Sequence, residues 1–236
     1  MQHLLSPLRA AIQDYNMISE GDKIAVGISG GKDSLALLVL LANLQKFYPV
    51  HFDIIAITLD MQIENVPTDY SEIEKLCDSL NIKYIIKRTS LYDVIFNIRK
   101  EKNPCSLCSK MRRGILHDVC TEAGCNKIAL GHHMDDAAET FIMNLFRGGS
   151  ISSFSPVSYL SRKNLYMIRP MIYLRESEIS AFADKFNLPV IESKCPMDKH
   201  SERQSTKELI SSLEKDYPGL TGKIITAMKN KQIDNW

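Results

Sequence analysis

No run among the 236 residues comes near the roughly 18 consecutive apolar positions that a membrane-spanning helix needs, so no crossing segment is expected. The stretch Met1 to Asn16 has neither a long apolar core nor a small-residue cleavage site. It does not read as a secretory signal, and the cytoplasm is the expected compartment. There is no internal repeat. Net charge is only +1, which excludes a domain that holds nucleic acid by bulk charge alone. Hydrophobic content of 44% and charged content of 24% belong to a globular chain with enough apolar material for a sizeable core.

The charge that is present is unevenly placed. Between Lys83 and Arg113 stand nine basic residues against Asp93 and Glu101, an excess that could face a phosphate backbone. Six cysteines in such a chain point to burial, metal binding or redox chemistry rather than to disulfides. Cys77, Cys120 and Cys125 fall in or beside helical patterns and read as core positions. Cys105-Ser-Leu-Cys108 follows Asn103-Pro104 at the entrance to a helix, where the helix N-terminus favours thiolate. Cys195 precedes Pro196 in a polar, turn-rich segment. A structural zinc site wants four ligands. Three cysteines with an open fourth position suit a [4Fe–4S] cluster.

Element patterns alternate strand and helix. Strands are expected over 23–28, 52–59, 83–87 and 127–130. Between them lie helices from the first loop to about 47, at about 69–80 and at about 106–123, with Gly124 as the residue that ends the last of these. A further helix follows at about 135–146. The run from Phe52 to Leu59 is nearly all apolar, as a parallel strand covered on both faces should be. Residues 148–161 read as a loop, 166–168 and 190–191 as short strands, and 175–186, 204–214 and 219–229 as helices. The expected fold is α/β, a doubly wound parallel Rossmann-like sheet with helical extensions at both ends. The expected divisions are an N-terminal helix in 1–20, a nucleotide-binding domain in 21–192 and a C-terminal segment in 193–236.

Two glycine-bearing strand-to-helix junctions carry the chemistry. At the first, Gly27-Ile28-Ser29-Gly30-Gly31-Lys32-Asp33-Ser34, a flexible turn opens a helix whose free N–H groups and dipole favour a phosphate. A Walker A loop needs Gly-Lys-Ser/Thr, and Asp33 follows Lys32, so that motif fails. At the second, Gly131-His132-His133-Met-Asp135-Asp136-Ala-Ala-Glu139-Thr140, carboxylates cluster in the first turns of a helix. They suit Mg²⁺ or nucleotide contact. Asp60 follows the second strand on the same side of the sheet, where ligands of such folds bind.

The Ser29–Ser34 segment resembles the pyrophosphate loop of the PP-loop ATPases, and the Gly131–Thr140 segment resembles the signature of their tRNA-modifying members. The pair Cys105 and Cys108, Arg112-Arg113 behind it and the late Cys195-Pro196 resemble the TtcA/TtuA-type tRNA 2-thiolation enzymes. The resemblance runs from about residue 5 to 205. It implies ATP cleavage between the α and β phosphates, adenylation of a pyrimidine C2 oxygen in tRNA and its replacement by sulfur. It also implies ATP contacts at Gly27, Ser29 to Ser34, Asp60, Gly131, His132 and Asp136, and catalytic roles for Lys32, Asp33, Arg112 and Asp136. Cys105, Cys108 and Cys195 would hold a [4Fe–4S] cluster, with Mg²⁺ beside the ATP. A cysteine desulfurase or free sulfide would give the sulfur, and the chain would pair as a homodimer. The absence of terminal zinc-ribbon cysteine pairs places the chain nearer the 2-thiocytidine branch. The alternatives are 2-thiouridine or 2-thiothymidine formation, adenylation without sulfur as in lysidine synthetases, and a nucleotide-binding regulatory domain.

Overall fold

The computed structural model describes residues 1–100, 104–192, 195 and 202–236. The elements run α1 (Gln2–Asp14), β1 (Asp22–Ile28), α2 (Lys32–Gln45), β2 (Phe52–Asp60), α3 (Ser71–Ser79), β3 (Lys83–Arg88), α4 (Pro104–Glu122), β4 (Lys127–Ala129) and α5 (Met134–Gly148). They continue with β5 (Val157–Leu160), β6 (Leu165–Ile168), α6 (Glu176–Lys185), α7 (Glu202–Asp216) and α8 (Leu220–Asn230). A π-helical turn, Asp93–Ile98, precedes α4 in what reads from sequence only as an irregular basic stretch.

The strand order is β3-β2-β1-β4-β6-β5. Five strands are parallel, and β5 alone runs antiparallel, against β6. The expected all-parallel sheet is thus a mixed one with an antiparallel edge strand, a common finish for doubly wound sheets. β6 matches the short strand expected at 166–168, whereas β5 lies in residues expected to be a loop. The sequence signal is weak there because β5 is four residues long in a serine-rich background, and its pairing rests on β6 and on the Tyr159–Tyr166 ring contact at 4.8 Å. Among the described residues, Val190 and Ile191 pair with no strand. Instead the Ile191 N–H donates to the Gly30 carbonyl at 2.9 Å.

The two faces of the sheet are covered unequally. On one face, α1, α2, α3, α5, α6 and α8 share a core that includes Leu8, Leu38, Ile73, Ala137, Ile179 and Met228. α2 is central to it, buried on all sides from Ser34 to Ala42, and needs no polar stripe because other elements surround it. On the other face, Val119 and Cys120 of α4 meet Ala25, Ile55, Ile57 and Ile128. The chain ends close on one another: Lys229 Nζ of α8 donates to the Tyr173 hydroxyl, which donates to Asp14, both at 2.7 Å. Trp236, 6% exposed, packs edge-on to Tyr15, and its indole N–H donates to the Phe154 carbonyl at 2.8 Å. Among the described residues no helix is long and apolar enough to cross a membrane.

Candidate active site

Strand order reverses between β1 and β4, so their carboxyl ends frame the crevice in which such sheets bind ligands. Residues 29–31 turn there from β1 into α2. Gly30 has φ +88, a conformation that suits glycine, and Ile191 Cβ would lie 3.3 Å from a side chain at this position. Ser34 Oγ accepts from the Ser29 N–H at 3.1 Å and donates to the Gly31 carbonyl at 2.9 Å, while the Gly31 N–H donates to Ser29 Oγ at 3.2 Å. The loop is therefore knitted by its own two serines. The helix cap is Gly31, which brings no side chain to the amides of the first turn. Those amides and the dipole are left for an anion.

Gly131, after β4, approaches this turn closely. A β-carbon there would lie 3.0 Å from the Asp33 carbonyl carbon and 3.1 Å from the Ser34 nitrogen. At the start of α5, Asp136 accepts from the His133 N–H at 2.9 Å, and His133 Nδ1 accepts in return from the Asp136 N–H at 3.4 Å. Asp135 is committed elsewhere. It accepts from the Glu176 N–H at 2.7 Å and from Arg175 Nε at 3.0 Å, tying α5 to the start of α6. The two adjacent aspartates thus have different work: Asp135 joins helices, while Asp136 keeps one oxygen toward Arg203 at 3.4 Å. His132 packs on Phe154 at 5.0 Å, and its Nδ1 is buried without a partner. Burial, helped by the Arg169 cation, pulls its pKa down to about 4 and keeps the ring neutral.

Lys32 lies 2.9 Å from Asp33 and 3.2 Å from Glu176. Burial pulls its ammonium down, but these carboxylates outweigh that and hold it above the ordinary lysine value. Two cations of α7 complete the set. Lys207 is 2.6 Å from Glu176, and Arg203 is 3.2 Å from Glu139. Burial works against the Glu176 carboxylate, yet Lys207 and Lys32 bring its pKa down to about 2. Glu139 lies deeper, and burial pushes it up to about 7 despite Arg203. Glu176, Arg203 and Lys207 are not marked by any local motif, because their pairing joins segments distant in the chain. Asp60, 1% exposed, accepts from the backbone N–H groups of Gln62 and Thr68 at 3.0 and 3.2 Å and so fixes the loop after β2.

A cavity of about 410 Å³ opens between the sheet and α4. Its walls include Gly27 of β1, Ser29 of the phosphate loop, Arg112 and Arg113, and the three cysteines Cys105, Cys108 and Cys195. The cavity thus joins the start of the loop to the arginines and the three cysteines, while Lys32, Asp33, Asp60, Gly131, His132 and Asp136 lie outside its lining. Cys105 is exposed and Cys108 and Cys195 are half-buried; Cys77, Cys120 and Cys125 are core, as expected. None of the six is in a disulfide. At Cys108, where thiolate is expected, burial pushes the thiol up, with Arg112 acting the other way. Among the described residues no three side chains converge as a single metal ion would require. A cluster asks for less, since each of its irons takes one thiolate, and three cysteines outside any disulfide on one cavity are a soft donor set that suits it.

A model of the PP-loop domain matches residues 3–212. A tRNA-cytidine(32) 2-sulfurtransferase from Syntrophotalea carbinolica is 39% identical over 225 residues, covering 94% of this chain and 86% of that protein. One from Dechloromonas aromatica is 40% identical over 222 residues, covering 93% and 77%. Among solved structures, the U34-tRNA thiolase NcsA from Methanococcus maripaludis with its [4Fe–4S] cluster superposes with a TM-score of 0.77 at 28% identity, over 95% of this chain and 77% of that one. The glycine turn that opens α2, the close approach of Gly131 to it and the extent of these matches have one reading: the chain belongs to the PP-loop family.

Proposed function

We propose that this protein is an ATP-dependent tRNA sulfurtransferase that converts a cytidine in tRNA to 2-thiocytidine. The observation that carries this is the shared cavity, whose walls hold Gly27 of β1, Ser29 at the start of the phosphate loop, Arg112, Arg113 and three cysteines. The amides of α2 and Lys32 bind the phosphates of ATP. Asp33 and Asp136 hold Mg²⁺ against the pyrophosphate that leaves. Arg112 and Arg113 line the cavity wall with positive charge for the α phosphate as the base C2 oxygen attacks it. The result is an adenylated base from which AMP, a good leaving group, departs on attack by sulfur. Cys105, Cys108 and Cys195 would hold a [4Fe–4S] cluster, which would supply an iron able to carry sulfide. The sulfur comes from a cysteine desulfurase or free sulfide, the chain acts as a homodimer, and the cytoplasm is its compartment.

The experiment is an anaerobic incubation of the protein with tRNA, Mg-ATP and sulfide, followed by nucleoside analysis. Formation of AMP together with 2-thiocytidine is the expected result, and both are lost in Lys32→Ala. The Cys105→Ala protein is expected to lose its bound iron. AMP without a thiolated base would overturn the sulfur step, and anaerobic protein carrying zinc but no iron would overturn the cluster.

A further inference from the structure

Two ammonium groups converge on one carboxylate beside the phosphate loop. Lys32, the first residue of α2, lies 3.2 Å from one oxygen of Glu176, and Lys207, in the second turn of α7, lies 2.6 Å from the other. Two lysines drawn to one point repel unless an anion stands between them. Glu176 is that anion, and its position is set from behind, where its own N–H donates to Asp135 at 2.7 Å. One turn earlier on the same side of α7, Arg203 spans Asp136 and Glu139 at 3.4 and 3.2 Å. α7 thus points two cations at the carboxylates of Glu176, Asp136 and Glu139, the first of which is also held by Lys32 of the phosphate loop. A phosphate group presents several anionic oxygens and can bridge a pair of ammonium groups as a carboxylate does.

We propose that α7 forms the second wall of the phosphate site: Lys207 binds the β and γ phosphates together with Lys32, and Glu176 stands in their place as an internal counter-ion until the nucleotide arrives. This rests on the reading of the Ser29–Ser34 loop as an ATP site and adds to it a residue from the far end of the chain. The arrangement separates substrate from product. A triphosphate reaches both ammonium groups, whereas AMP lacks the β and γ phosphates and reaches neither. Glu176, already fixed by α6, retakes both lysines once pyrophosphate has gone.

The test is calorimetric titration of the full-length protein, with Mg²⁺, by α,β-methylene-ATP, by inorganic pyrophosphate and by AMP. Lys207→Gln is expected to weaken the ATP analogue and pyrophosphate by about tenfold, the scale of one charge-assisted contact, and to leave AMP unchanged. Lys207→Arg is expected to keep most of the affinity. Glu176→Gln, which removes the competitor, is expected to tighten the ATP analogue without altering AMP. Triphosphate affinity unchanged in Lys207→Gln, or an equal loss for the ATP analogue and AMP, would overturn the proposal. So would weaker binding in Glu176→Gln. If the Lys207→Gln protein does not fold, as judged by its melting curve, Lys207→Arg and Glu176→Gln decide. Wild-type protein that binds no ATP analogue would overturn the ATP reading itself, an outcome distinct from a failure confined to the Lys207 and Glu176 variants.

Discussion

A β-carbon added to Gly131 would press on backbone atoms of the first turn of α2, the nearest at 3.0 Å, and none can yield without moving the phosphate loop. Gly131→Ala is therefore expected to cost about 1–3 kcal/mol and to weaken ATP binding, as thermal melting and nucleotide titration would measure. Glu139 gives a second expectation. Its folded pKa of about 7 stands above the ordinary 4.5, so the folded state keeps a proton that the unfolded state has lost across that interval. Stability from this group is complete below about pH 4.5 and declines as pH rises through 7, by up to about 3 kcal/mol. Denaturation of Glu139→Gln across that range should show a shallower pH dependence than wild type; an identical slope would contradict the assignment. At this scale the sequence was most legible where chemistry is local. Ser29 to Ser34, Asp136 and the pair Cys105 and Cys108 announce themselves by spacing. Glu176, Arg203 and Lys207 do not, since each acquires meaning only from a partner on another helix.

Helix α6 begins where it does because another helix caps it. Asp135 of α5 takes the Glu176 N–H and the Arg175 side chain, the task an N-cap residue performs from within its own helix. Asp135→Ala is expected to cost about 1–2 kcal/mol in chemical denaturation and to disturb ATP binding by releasing Glu176. Asp136→Asn should instead leave stability nearly intact and abolish AMP formation. Opposite outcomes for the two neighbours would reverse the roles given to them here. Long apolar elements such as α2 and the strand β2 were readable from their hydrophobic runs, because burial on all sides imposes them. β5 was not, since an edge strand of four residues held by one neighbour leaves little pattern. The antiparallel edge and the pairing of Ile191 with the loop carbonyl of Gly30 likewise follow from tertiary contact rather than local preference.

Across the whole molecule, one sheet divides two unequal cores, and the thinner layer, with α4, leaves room for the cavity in which loop and cysteines meet. α4 also carries Lys110, Arg112 and Arg113 from the basic stretch, so the chamber opens beside the chain's densest positive charge. Affinity for tRNA is expected to fall steeply with added KCl, and Arg113→Ala to reduce the slope of log affinity against log salt by about one. A slope unchanged in that variant would remove Arg113 from the RNA surface. The convergence of the chain ends on Trp236 has an optical consequence. Because the chain has a single tryptophan, all indole emission of the native protein arises at one point, where Tyr15 after α1, Phe154 before the hairpin and the last turn after α8 touch. Nature has placed an unlabelled fluorophore at the seam that closes the fold, and its colour reports whether that seam is shut.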